Sequence, residues 1–500
     1  GEEDEGYNRS RSATATRTDT PIRDIPQSIQ VVPEEVIEDQ GVTRIGEALQ
    51  NVSGVTDAGL FNNFLDYIWL RGFPTSQGNF FRDGIRLLNY YTGARGIAEV
   101  SNLESIEVLK GPASVLFGAV EPGGIINLTT KSPLSEPYYS IEGSVGNYDN
   151  YRGAIDLSGP LNEDRTILYR LSGLYSSSDS FRDFVDSERT FSAATLSFAL
   201  NSRTDLRIDA DFTRFSGGFD LGIPAVGVRP ADVPRDRAIG ESFGEQVYED
   251  FSVGYTLNHA LSDNWSLRNV FKFQNFNLIE SSTPFPASFD ELTGEVSRAN
   301  FRERSVFDNY SLLADTTGRF STGSIDHQLL LGVEYNSSSI DRDQDIFSET
   351  YPSLNIFEPV YAEEPFQPED NFFRDDRFQS YGFYIQDQIT LNPQFKLLVG
   401  GRLDTFIQDR RLRNFIGGGD SDQSFEQTDS RFTPRLGIVY QPNDVVALYG
   451  SYATSFQPSL ATSRNPDGSE FEPTTGTQYE VGVKTDFLDG RLSATLAGFI

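Results

Sequence analysis

Residues 102–131, NLESIEVLKGPASVLFGAVEPGGIINLTTK, separate a segment of mixed α/β character from a longer segment built of strands alone. The stretch predicts a strand at Ser105–Leu109, a break at Gly111-Pro112, one helical turn at Ala113–Phe117, a glycine-rich turn, and a strand at Ile125–Thr130. Gly118, Gly123 and Gly124 stand where a left-handed φ or a close backbone approach is cheap only without a Cβ.

Working backwards from this stretch, Ser28–Val32 reads as a strand. Pro33 followed by Glu34 and Glu35 starts a helix, with carboxylates at the positive end of its dipole. A second helix begins at Thr43, placing Ile45, Ala48, Leu49 and Val52 on one face and Gly54 beyond its end. Tyr67–Arg71 is a short apolar strand. Asn79–Arg82, Asp83-Gly84 and Ile85–Leu88 form a hairpin with a type I′ turn signal. Residues 21–133 therefore read as one α+β domain. Residues 1–20 are acidic, then rich in Ser, Thr and Arg, without apolar periodicity, and read as a mobile tail.

Working forwards, period two takes over beyond Pro137, so residues 137–500 read as strands. Leu206, Ile208, Ala210 and Phe212 alternate with Arg207, Asp209, Asp211 and Thr213. Phe395, Leu397, Val399 and Leu403 alternate with Lys396, Gly400, Arg402 and Asp404. One face suits lipid and the other a watery lumen. Asp387 falls on the apolar face and is expected near a membrane boundary, since charge at mid-depth is costly. The connections alternate as well. Asn162–Arg165, Asn201–Thr204, Ser262–Asn264, Asn392–Gln394, Pro442–Asp444 and Leu488–Gly490 are tight turns. Ser216–Phe243, Ser281–Asn300, Asp341–Phe373, Arg411–Gln427 and Gln457–Thr474 are long. Membrane barrels sort connections this way, short on the periplasmic side and long outside; a soluble sandwich has no reason to.

Composition narrows the function classes. The 500 residues carry 41 basic and 73 acidic side chains, a formal net charge of −32. That balance argues against nucleic acid and against basic docking on anionic lipid. There is no Cys, and His259 and His327 are the two His, which leaves little for a metal centre or a His-based triad. No apolar run reaches the length of a transmembrane helix, about 18 residues. Ser114 lacks the flanking glycines of a nucleophile elbow.

The motif IEVLKGPASVLFG…EPGGIINLTTK, with others from Asp24 to Lys131 and FTPRLGIVYQPNDVVALYGSYATSF at Phe432–Phe456, resembles the TonB-dependent outer-membrane receptors. The resemblance runs the whole chain and is nearest to the ferric-siderophore receptors. It implies an all-β transmembrane barrel of about 22 antiparallel strands, incomplete in this chain, with the α+β plug domain inside its lumen. About fifteen strands are countable here; an even, closed barrel leads us to expect roughly 150–200 further residues. The resemblance also implies a TonB box, which is not visible here and is either trimmed away with the signal peptide region or lacking, and a signal peptide already removed.

The implied function is binding of a ferric siderophore, hydroxamate-type favoured, and its import into the periplasm by a non-enzymatic receptor. Its implied partners are the TonB–ExbB–ExbD complex and outer-membrane lipid, and it is expected to be a monomer in the outer membrane of a Gram-negative-type bacterium. Iron travels as cargo inside its chelator, so no cofactor or protein-held metal is expected. The alternative is the same architecture carrying cobalamin, haem, a nickel chelate or an oligosaccharide. The candidate ligand residues are Arg71, in an RGF motif, and Tyr90, Tyr91, Phe80 and Phe81. Arg71 either meets chelate oxygens through its fork of donors or forms a buried plug–barrel salt bridge. Tyr90 and Tyr91 either meet the cargo or pack on the wall, and one of Phe80 and Phe81 is expected in the core. Lys110, Gly111, Gly118, Gly123 and Gly124 are read as structural. Lys110 is expected to pair with a barrel carboxylate, and Glu104 and Glu107 to face the same network.

Overall fold

The computed structural model describes residues 6–57, 67–75, 78–87, 98–346, 351–362, 370–416, 419–488 and 492–500. The first part contains β1 (Arg11–Ser12), β2 (Thr20–Pro21), β3 (Ile29–Pro33), α1 (Glu34–Asp39), α2 (Ile45–Ala48), β4 (Val55–Asp57), β5 (Ile68–Leu70) and β6 (Phe73–Pro74). It continues with β7 (Phe80–Arg82), β8 (Ile85–Arg86), β9 (Leu103–Lys110), α3 (Ser114–Phe117) and β10 (Gly124–Thr130). The five strands β3-β9-β10-β7-β8 lie in that spatial order, with β10 parallel to β7. The helix face foreseen from spacing is buried as expected: Ile45, Ala48, Leu49 and Val52 pack with Val32, Ile106, Val108, Ile126 and Leu128. Burying such aliphatic side chains contributes about 1.5–3 kcal/mol each. Asp83 and Gly84 have φ of 53° and 79°, as a type I′ turn requires.

Gly124 shows why the central motif needs its glycines. Its φ is +129°, and a Cβ there would lie 2.1 Å from the Leu109 carbonyl oxygen. Gly124→Ala is expected to destabilise the plug by about 3 kcal/mol or more, through strain and the broken β9–β10 register. Limited proteolysis of the plug checks this; wild-type resistance in the variant would contradict the geometry.

The second part holds β11 (Tyr138–Gly146), β12 (Asn150–Pro160), β13 (Ile167–Asp179), β14 (Asp186–Asn201), β15 (Thr204–Gly218), β16 (Ala225–Val226) and β17 (Arg229–Pro230). There follow β18 (Glu245–Ala260), β19 (Trp265–Asp290), β20 (Glu295–Thr322), β21 (Ile325–Ile346), β22 (Leu354–Asn355) and β23 (Asp370–Asn392). The last are β24 (Phe395–Ile416), β25 (Gly419–Tyr440), β26 (Val446–Gln457), β27 (Thr474–Phe487) and β28 (Leu492–Phe499). Apart from the β16–β17 hairpin and β22, they hydrogen-bond in chain order into one antiparallel sheet. Among the described residues β11 and β28 do not pair with each other.

One face of this sheet is apolar and exposed, with Phe383 at 59% and Ile385 at 52%. The other face covers the plug. Two aromatic rows border the apolar face. Phe320 with His327 and Phe395 with Tyr440 lie at the short-turn end. Phe273 with Tyr310, Tyr335 with Tyr381 and Tyr452 with Tyr479 lie nearer the long-loop end. Along β20, Tyr310 and Phe320 are ten residues apart; at about 3.3 Å per residue and a tilt near 40° this spans about 25 Å, the height of a barrel's lipid band. Asp387 meets His327 Nδ1 at 2.8 Å, in the lower row.

Two expectations need correction. Ser281–Asn300 and Arg411–Gln427 are not open loops. Strands β19 and β20 run on to Asp290 and from Glu295, and β24 and β25 to Ile416 and from Gly419, as ladders projecting beyond the lipid band. Nor are residues 7–20 a free tail. Ser12, Thr14, Thr16, Thr18 and Thr20 are all buried, and β1 pairs with β2. These threonines satisfy one another and distant partners: Asn127 donates to Thr14 (2.9 Å), Gln388 to Thr18 (2.7 Å), and Gln386 to the Thr16 carbonyl (3.1 Å). Polar side chains bury readily when each finds a hydrogen bond, and composition does not reveal those partners.

Candidate functional site at the plug apex

Among the described plug residues, the α3 turn and the glycine turn after it lie uppermost, and the barrel grips them through buried charges. Arg402 on β24 donates to Asp404 (2.7 Å), to Glu334 on β21 (2.9 Å) and to the Leu116 carbonyl of α3 (3.4 Å). Arg17, from the N-terminal segment, reaches the Leu116 carbonyl at 2.5 Å and Tyr384 Oη at 2.9 Å, and pairs with Glu334 (3.4 Å) and Asp315 (3.7 Å). Phe456 N–H donates to Ser114 Oγ (3.2 Å), and Val120 N–H donates to the Phe456 carbonyl (3.0 Å). Ser114 is thus a structural acceptor.

Other plug–barrel pairs surround the domain. Arg82 meets Asp211 (2.9 Å), and Glu99 meets Arg152 (3.1 Å) and Arg189 (3.4 Å). Arg71 resolves to the second of its two readings. Its Nη2 lies 2.8 Å from Glu480 on β27, its Nη1 donates to Gln478 (3.0 Å), and its guanidinium stacks 3.8 Å above Phe499. It is a buried plug–barrel link, with two of its five N–H donors engaged by the wall.

Lys110 does not pair directly with a barrel carboxylate. Its ammonium donates to Ser53 (2.8 Å) and Gln30 (3.2 Å), both within the plug. Burial, with the Arg71 charge nearby, pulls its pKa down to about 8. Glu107 faces the N-terminal hairpin, accepting from Ser12, and burial raises its pKa. Glu104 stays exposed. A Cβ on Gly111 would collide with Gln478 at 2.4 Å, one on Gly123 with the Leu70 carbonyl at 2.1 Å, and one on Gly118 would crowd Arg402 at 3.1 Å. Gly111 and Gly118 let the plug and the wall approach closely, and Gly123 lets two plug segments do so.

Phe80 and Phe81 are both buried, at 8% and 0% exposure. Phe80 fills the plug core and Phe81 meets Phe117 edge-on at 4.7 Å. Successive strand residues normally point to opposite faces; here both faces of β7 are covered, one by α1 and α2 and the other by α3 and the wall. Tyr90 and Tyr91 lie outside the described residues.

A feature the sequence reading missed lies directly above α3. Phe215, Tyr248, Phe276, Phe307, Ile340, Phe378, Phe406 and Phe456 form one apolar cluster with Ala119 of the plug turn. They come from eight strands, seven of them successive in the sheet, and sit at one height on the plug-facing side. Phe215 stacks on Tyr248 (5.2 Å), Tyr248 leans on Phe276 (5.3 Å), Phe276 meets Phe307 edge-on (5.6 Å), and Phe378 stacks on Phe406 (6.0 Å). A signal existed. All of these positions but Phe456 have the parity of the polar face, as Phe406 shares parity with Arg402 and Asp404, and so break its alternation. Above them the polar parity resumes with Asp376, Gln408 and Arg410. Gln408 donates to the Ser459 carbonyl (2.6 Å) and accepts from Ala461 N–H (3.1 Å), which folds the β26–β27 connection over this side.

Known proteins were compared with this chain. The TonB-dependent Receptor Plug Domain family matches residues 21–125, and the family of TonB dependent receptor-like β-barrels matches residues 192–500. The Metal-pseudopaline receptor CntO of Pseudomonas aeruginosa is 36% identical over 99% of this chain and 69% of its own. The Ferrioxamine B receptor of Salmonella typhimurium is 29% identical, over 94% of this chain and 66% of its own. Among solved structures, the ferripyoverdine receptor of the Pseudomonas aeruginosa outer membrane, bound to ferripyoverdine, superposes with a TM-score of 0.85 at 25% identity, over 100% of this chain and 66% of that one. The chain thus spans about two thirds of the length of these proteins. Matched along its length by a plug family and then a barrel family, with the plug held inside the strands by the contacts described, it belongs to the TonB-dependent receptors.

Proposed function

We propose that this chain is the plug and part of the barrel of an outer-membrane receptor that binds a metal chelate of siderophore type from outside and imports it with energy from TonB. The aromatic ring above a sealed plug carries this reading. A barrel wide enough to contain a whole domain is a pore only when that domain moves, and passive channels need no such stopper. The ring's side chains, themselves no more than 8% exposed, suit a bulky organic chelate, which brings its own metal ligands. The relatives in hand take different chelates, one a metal–pseudopaline complex and one ferrioxamine B. Arg71 pairs with Glu480 and adds nothing to the hydroxamate preference; the cargo class supported here is the metal chelate, with ferric siderophores to be tested first.

Titration of the full-length receptor with ferric siderophores, a nickel chelate and cobalamin, read by intrinsic fluorescence, tests the reading. Quenching by a metal chelate at micromolar concentration is expected. Quenching by cobalamin or a glycan alone would overturn it. Phe378→Ala combined with Phe406→Ala is expected to weaken chelate binding about tenfold or more, since buried aromatic anchors dominate such surfaces. Unchanged affinity would remove the ring from the binding site.

A further inference from the structure

Immediately above the aromatic ring, three arginines share two carboxylates. Asp376, two residues above Phe378, takes Arg410 in a two-pronged contact (2.8 and 2.9 Å) and also accepts from Arg374. Arg342 lies 3.1 Å from Glu303, which also accepts from Gln344 (2.7 Å). The register sets Arg342 directly opposite Arg374 across β21 and β23, on the plug-facing parity. Like charges directly opposite each other on a sheet face are destabilising. Arg374 feels repulsion from both Arg410 and Arg342, and its Nη2 is out of contact with solvent without a hydrogen-bond partner among the described residues.

That arrangement is costly for the chain alone and useful with an anion present. Two guanidinium planes on adjacent strands match the oxygens of carboxylates, which accept paired N–H donors. The whole molecule does not help an anion to arrive, because its formal net charge is −32. The selectivity must therefore come from this local excess of positive charge at short range, where salt screens least. A cationic chelate would meet repulsion at the same place.

We propose that the opposed pair Arg342 and Arg374, standing over Phe378 and Phe406, is a subsite that selects metal chelates carrying free carboxylates and net negative charge. The inference rests on the receptor reading above and narrows its cargo.

The test uses full-length receptor and two probes of opposite charge, ferric citrate and the cationic trihydroxamate chelate ferrioxamine B, with equilibrium binding measured at low and high salt. Wild type is expected to bind ferric citrate at least tenfold more tightly, with an advantage that shrinks as salt rises. Arg374→Gln is expected to lose at least tenfold toward ferric citrate while leaving ferrioxamine B unchanged or improved. Arg374→Lys, which keeps the charge, is expected to recover part of the loss, and Arg342→Gln to repeat it. Equal losses on both probes would reduce Arg374 to a structural role and overturn the proposal. A wild-type preference for the cationic chelate would overturn it while leaving the receptor reading standing. Failure of every metal chelate to bind would sink both.

Discussion

Cells carrying Glu480→Ala are expected to leak. Glu480 is a hub between wall and plug: it pairs with Arg71 (2.8 Å) and accepts from the Ser28 backbone N–H (2.8 Å), Tyr449 Oη (2.7 Å) and Gln478 (3.2 Å). Its side chain has no exposure, and that of Arg71 has 7%. Truncation leaves the guanidinium buried without its counter-charge and orphans the Ser28 amide at the start of the plug sheet. Breaking one partner of such a pair costs about 3–5 kcal/mol. Two measurements check the loss. Thermal or urea unfolding of the purified receptor is expected to shift down by that amount, and the cells are expected to admit vancomycin, which an intact plug excludes. A variant as stable and as tight as wild type would show that Arg71 and Glu480 do not hold the plug.

Arg402→Met is expected to have an effect of similar size at the top of the plug. Methionine keeps much of the apolar stem and removes the charge, so the loss isolates the guanidinium. Asp404 would lose its 2.7 Å partner, Glu334 would be left with Arg17 and Asn336, and the Leu116 carbonyl would lose one of two donors. All of these groups are buried. About 3–5 kcal/mol is again the expected cost. Here the local consequence distinguishes the site: amide hydrogen exchange at Ser114–Gly118 is expected to rise well before exchange in the β3–β9–β10 sheet. If exchange rises everywhere together, the network stabilises the receptor as a whole and is no specific clamp on α3. The double variant Glu480→Ala, Arg402→Met also bears on the plug, since the two contacts lie on different strands and share no partner. Their losses should add to within about 0.5 kcal/mol.

Several parts of this fold were legible in residue order. The α2 face, the Asp83-Gly84 turn and the strand–turn–strand around Gly111–Gly124 follow from local periodicity and backbone sterics, and all three are found where spacing places them. The lipid-facing parity of the later strands was equally legible, because a period of two assigns every side chain to a face before any partner is known. The candidate site was much less legible. Arg71 was weighed as a ligand or as a structural ion pair because an arginine after a short apolar strand serves either; its partner is 409 positions away, which no local rule reaches. The aromatic ring was overlooked because its members look like scattered exceptions to the alternation of separate strands. They look like noise until the stagger of the sheet brings them to one height.

The period-two pattern and the glycine-rich junction determined by themselves that this chain has a plug-like α+β domain followed by barrel strands, because backbone geometry and the hydrophobic contrast between two faces act within a few residues. Only the tertiary structure decided that the threonines at 14–20 are sealed into the interface, that Arg71 and Arg402 are anchors, and that Arg342 stands against Arg374. Those facts depend on strand register and on which wall position meets which plug turn. Register is set cooperatively across hundreds of residues, so the pairings come into being only when the whole sheet has closed around the domain inside it.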